Sequence, residues 1–90
     1  MPTKDQIEKA WKNAKPVRGE DPKKVRQDPY GNKINRSSYG KDTARGWEVD
    51  HIKPKAKGGS DATQNLQALK TSVNREKGDS LVKKSRHSQK

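Results

Sequence analysis

The stretch Trp47-Glu48-Val49-Asp50-His51-Ile52-Lys53-Pro54 begins as an alternation and ends on an adjacent acid and imidazole. In an extended chain Trp47 and Val49 share one face, and Glu48 and Asp50 share the other, which predicts a strand over residues 46–51. Lys53 to Gln64 carries Pro54, Gly58, Gly59 and Ser60 and reads as a loop. Leu66 to Leu69 is a short strand that pairs back on Trp47 to Asp50. Thr71 or Ser72 then caps a short helix through Asn74 and Lys77, ended by Gly78, with a last turn reaching toward Leu81 and Val82. Strand, long loop, strand and helix make an α+β unit.

Upstream, Thr3-Lys4-Asp5-Gln6 has the form of a capping box, and Ile7, Ala10, Trp11 and Ala14 follow at helical spacing. A helix is expected from about residue 4 to 15, stopped before Pro16 and packed through Trp11. Asp21-Pro22 suits the start of a second short helix, running to about Gln27. Pro29 to Asn32 reads as a turn, Lys33 to Arg36 as weakly strand-like, and Tyr39 to Asp42 as another turn or loop. The expected organisation is an N-terminal helix (1–16), a main domain (17–82, core motif 46–79) and a basic flexible tail (83–90). His87, in that tail, is expected to be inert.

Leu, Ile, Val and Phe together supply 11 of 90 residues, and 22 Lys and Arg stand against 11 Asp and Glu, for a net charge of +11. That balance lies on the disordered side of the usual compositional boundary. The apolar residues are not scattered, however. Trp47, Val49, Ile52, Leu66, Leu69 and Val73 crowd into the same stretch as the Asp-His pair, so a small ordered core belongs there. The charge points to a polyanionic partner, nucleic acid before an anionic membrane surface. No Cys is present, and no apolar run is long enough to span a membrane.

Asn65 follows His51 by fourteen residues and Asn74 follows Asn65 by nine. With Asp-His-Ile-x-Pro, Gly-Gly, Asn-Leu-Gln-x-Leu and Asn-Arg-x-Lys, residues 47–79 closely resemble the HNH endonucleases, the ββα-metal class. The resemblance implies a two-stranded antiparallel sheet plus helix, preceded by N-terminal helices, and a metal-dependent enzyme that hydrolyses DNA. Its implied products carry 5′-phosphate and 3′-hydroxyl ends.

Hydrolysis of a phosphodiester needs a deprotonated water, charge relief at phosphorus and help for the leaving oxygen. His51 is the candidate general base, because an ordinary imidazole titrates in the range that task requires. A backbone carbonyl across the loop is expected to fix its tautomer. By resemblance, Asn65 clamps that loop and keeps His51 in aim, while Asp50 and the amide oxygen of Asn74 hold one divalent cation. Lys53, Lys55, Lys57, Arg75 and Lys77 are the expected contacts to the nucleic-acid backbone. Many family members have His where this chain has Asn74, and some add another where Gly78 stands. Two oxygen ligands favour Mg²⁺ or Mn²⁺. Lys70 and Val73 stand where a Cys pair of the zinc-binding members is expected, so no structural zinc is anticipated.

Taken singly, these residues are ordinary. Asp-His is a common polar strand end, Asn65 a turn residue, Asn74 a helix-start residue, and the basic positions solvated charge. Only the full set argues for catalysis. A non-catalytic nucleic-acid-binding accessory domain of the same fold is the alternative, and a basic protein that folds on RNA ranks below it. Further expectations are a monomer or weak dimer, a protein partner that supplies specificity, and a cytoplasmic setting in a bacterial or phage-infected cell.

Overall fold

The computed structural model describes residues 2–77. Gly78 as a helix stop, the turn toward Leu81 and Val82, and the tail with His87 lie outside the described residues. Helix α1 (Lys4–Asn13) opens on the expected capping box: Thr3 Oγ1 accepts from the Gln6 amide, and Gln6 Oε1 accepts from the Thr3 amide. It ends at Ala14, before Pro16, and buries Ala10 and Trp11.

Residues 21–27 depart from expectation. In place of a helix, a single turn from Asp21 to Val25 leads into strand β2 (Val25–Gln27). This strand lies between β1 (Lys15–Pro16) and β3 (Lys33–Asn35) in an antiparallel sheet. The Asp21 carboxylate accepts from the Lys23 amide and closes that turn. Pairing with both neighbours then captures the chain as a strand. The β2–β3 connection is nailed by Asp28, which is 2% exposed. Its carboxylate accepts from the amides of Tyr30, Asn32 and Lys70 and from the Asn32 side chain. One buried acid thus fixes a hairpin and ties it to a strand far along the chain. Asp28→Ala should lower stability by about 2–4 kcal/mol, because several buried donors would lose their acceptor together. A urea titration followed by circular dichroism measures it, and an unchanged midpoint would contradict the assignment.

Strands β4 (Trp47–His51) and β5 (Leu66–Lys70) form the expected antiparallel pair, with Asp50 opposite Gln67 and His51 opposite Leu66. Helix α2 (Thr71–Lys77) follows without a break. Thr71 opens it with its hydroxyl donating to the Lys41 carbonyl and its amide to that of Gly46. One face of the hairpin joins α1: Trp11, Trp47, Leu66 and Ala68 are buried together with Ala10 and Ile34. Trp47 has no exposed surface and is tilted against Trp11 (centroids 5.3 Å apart) and edge-on to Tyr39 (5.0 Å). Both indole N–H groups have acceptors, the carbonyls of Pro22 and Asn35. The α1 helix and the ββα unit therefore share one core. No helix of the described residues is long and apolar enough to cross a membrane.

Candidate active site

The loop between β4 and β5 is built rather than slack. Pro54 is buried and begins a tight turn over Lys55–Lys57, and a second such turn spans Thr63–Asn65. The two glycines have separate duties. Gly58 takes the left-handed conformation at φ 89°, which an L side chain rarely adopts. A Cβ on Gly59 would strike the carbonyl of Lys53, so only glycine lets the returning chain pass that close.

Asn65 ties the loop's two ends. Its Oδ1 accepts from the Lys53 amide at 2.8 Å, and its Nδ2 donates to the carbonyls of Lys53 and Ser60. Its own carbonyl accepts from the Ile52 amide. From α1, Asn13 donates to the carbonyls of Thr63 and Leu66 and so fixes the same corner from outside.

His51, at the last position of β4, meets a partner different from the backbone carbonyl expected. Its Nε2 lies 2.7 Å from Asp61 Oδ1, and the other oxygen of that carboxylate bonds Lys55 Nζ at 3.2 Å. The hydrogen bond from His51, then that from Lys55, holds the Asp61 carboxyl below its usual range. Asp61 is thus ionised at neutral pH and can only accept, so a hydrogen bond across this contact has its proton on His51 Nε2.

On the opposite face of the hairpin, Asp50 is 7% exposed, and each of its carboxylate oxygens accepts a hydrogen bond. Its Oδ1 accepts from Lys77 Nζ at 2.9 Å and its Oδ2 from Gln67 Nε2 at 2.8 Å. Lys77, 2% exposed, also donates to the His51 carbonyl at 2.9 Å. Lys77, expected as a contact to the nucleic-acid backbone, is thus engaged within the protein. Its ammonium is turned inward because Asp50, buried at the strand end, requires a counter-charge. Asn74 is placed against Glu48, not Asp50: its Nδ2 donates to Glu48 Oε1 at 2.9 Å.

The other basic positions divide. Lys53 and Lys57 are exposed; Lys55 is engaged by Asp61; Arg75 pairs with Asp42 at 3.3 Å and more loosely with Glu48 at 3.7 Å. Pairs this exposed are worth little and open readily for a polyanion.

A family model described as HNH endonuclease matches residues 34–80, more than half of the chain. The chain belongs to the HNH endonuclease family. Comparison with curated proteins and with solved structures returned no match. Within this HNH domain the absence of Cys rules out a Cys-type zinc site.

Three residues inside the HNH match carry contacts to the site that the sequence does not assign. Gln67 was within reach, since pairing Leu66–Leu69 back on Trp47–Asp50 sets it opposite Asp50. Alternation places Glu48 on the Asp50 face, but nothing in the spacing joins it to Asn74. Asp61 carried no signal, because an acid inside a Gly-Gly-Ser loop is indistinguishable from solvated charge.

Among the described residues no three His, Cys, Asp or Glu side chains form a cluster able to hold a metal. A cation at this site would rely on the Asp50 carboxylate, an amide oxygen and water. The donor types are those a hard ion such as Mg²⁺ takes, while both Asp50 oxygens and the Asn74 amide are engaged within the protein.

Proposed function

We propose that this protein is a metal-dependent endonuclease that hydrolyses DNA phosphodiester bonds, with His51 as general base. The observation that carries the reading is the Asp61 carboxylate on His51 Nε2, which on this reading keeps the proton there and gives Nδ1 the task of taking a proton from water. Asp61 holds the tautomer, and Asn65 positions the ring by closing the loop on either side of it. Asp50 and the Asn74 amide oxygen, after the Asn74 side chain turns from Glu48, would hold one divalent cation, Mg²⁺ or Mn²⁺. When bound, that ion supplies charge relief at the phosphate and at the leaving 3′-oxygen. Lys53 and Lys57, with Lys55 and Arg75 once released from their partners, receive the backbone on either side. Products with 5′-phosphate and 3′-hydroxyl ends follow when the water oxygen bonds phosphorus and the P–O3′ bond breaks, the 3′-oxygen staying on its sugar and taking up a proton.

Asp61→Asn tests the dyad. The amide cannot hold the Nε2 proton through a charge, so kcat should fall about tenfold or more with KM little changed. Steady-state cleavage of an end-labelled duplex with Mg²⁺ measures it, and an unaltered kcat would remove Asp61 from the mechanism. Because hydrogen bonding holds the Asp61 carboxyl below its usual range, the group contributes above that range and loses its effect only as pH falls through the lowered value. Cleavage assays near neutral pH therefore read a dyad with Asp61 fully ionised.

A nucleic-acid-binding domain without catalysis is favoured by one observation: both Asp50 oxygens already accept hydrogen bonds within the protein. Salt-sensitive DNA binding, with no metal-dependent nicking by the wild type, would select it.

A further inference from the structure

Among the described residues Lys77 is the one buried cation, and it is spent on the candidate site rather than on solvent or DNA. Its ammonium bridges Asp50 Oδ1 and the His51 carbonyl, both at 2.9 Å. One side chain therefore grips the acid proposed for the metal and the backbone of the residue proposed as base. Burying an unpaired Asp50 is costly, so something positive must stand there for the strand end to keep its shape.

We infer that Lys77 is an internal competitor for the divalent cation at Asp50, a positioning residue that holds the site together and restrains its cation affinity. The inference rests on reading Asp50 as the metal ligand. Lys77 must release Asp50 Oδ1 before a cation takes that oxygen, because an ammonium and a divalent ion repel strongly at such separations in a poorly hydrated site. A lysine suits this exchange: it is a point charge on a flexible four-carbon stem, with no planar fork to bind the carboxylate in two places. Gln67 donates to the other oxygen, Oδ2, a contact that the exchange at Oδ1 does not require to break.

Lys77→Met keeps the length and apolar stem but removes the competing charge. Binding of Mn²⁺, followed by the paramagnetic resonance of the free ion, should be at least about tenfold tighter in Lys77→Met than in wild type. The same variant should melt at a lower temperature in EDTA and gain more from Mn²⁺ than wild type gains. Mn²⁺ binding should then be lost in the double variant Asp50→Ala, Lys77→Met. Equal or weaker Mn²⁺ binding by Lys77→Met, with the loss on Asp50→Ala retained, would overturn the competitor role and leave the metal reading standing. Binding untouched by Asp50→Ala would overturn both. If Lys77→Met does not fold in EDTA, circular dichroism during Mn²⁺ titration replaces the melt. Folding restored by Mn²⁺ supports the inference, and a chain that stays unfolded at saturating Mn²⁺ contradicts it.

Discussion

His51→Ala is expected to abolish cleavage while the fold and DNA affinity remain. The side chain is partly exposed at the end of β4, at 22%, and among the described residues its one hydrogen-bond partner is the exposed carboxylate of Asp61. The grip on the strand end comes from groups that do not use the imidazole: Lys77 on the His51 carbonyl, Gln67 on Asp50, and Asn65 on the loop. Removing the ring therefore costs little structure. It does remove the group proposed to deprotonate water, a contribution of about 10²–10⁴-fold in rate. DNA affinity, which a +11 chain derives from phosphate neutralisation, should keep its magnitude and steep salt dependence. Single-turnover cleavage beside a fluorescence-anisotropy binding curve measures both. A variant that still cuts at the wild-type rate would exclude His51 as the base.

Trp47→Ala is expected to unfold the protein. Trp47 is fully buried, meets Trp11 and Tyr39 across the core, and donates its indole N–H to Asn35. The Arg36 guanidinium lies 5.7 Å from its ring centroid. Truncating a tryptophan in such a position costs about 3–5 kcal/mol. A chain this short, with 11 large aliphatic residues, has little more than that to lose. Thermal melts at 25 °C and above should show no cooperative transition in the variant, and a melt within a few degrees of wild type would contradict the packing described.

The composition argued for disorder, and the fold overrides it by concentration. Two tryptophans and a handful of aliphatic residues are brought to one place by α1 and the β4–β5 hairpin, so a core forms without a high apolar fraction. The alternation from Trp47 to Asp50 and the capping box at Thr3 were legible because each is a local rule. Over residues 21–27 local sequence points to a helix, because Asp21-Pro22 obeys a helix-start rule that holds for only one turn. What makes Val25 to Gln27 a strand is pairing with residues before and after it, a non-local fact. The same distinction runs through the site. Asn65 and Gly59 act within their own loop, where spacing is informative. Asp61 on His51 and Lys77 on Asp50 depend on where a folded loop and a helix turn come to rest, and neither identity nor spacing marks them. Lys77 in particular reads in sequence as one more basic residue of a polyanion-binding chain, and only burial shows that its charge is used inside.

The central claim is that a single metal-bearing site on this small basic fold breaks phosphodiester bonds. Nicking of supercoiled plasmid by the wild-type protein with Mg²⁺, Mn²⁺ or EDTA tests it most directly. The account predicts conversion to open circles with Mg²⁺ or Mn²⁺, none with EDTA, and nicks that DNA ligase reseals because they carry 5′-phosphate and 3′-hydroxyl ends. Plasmid that stays supercoiled with every metal, while the protein binds it, would contradict the account.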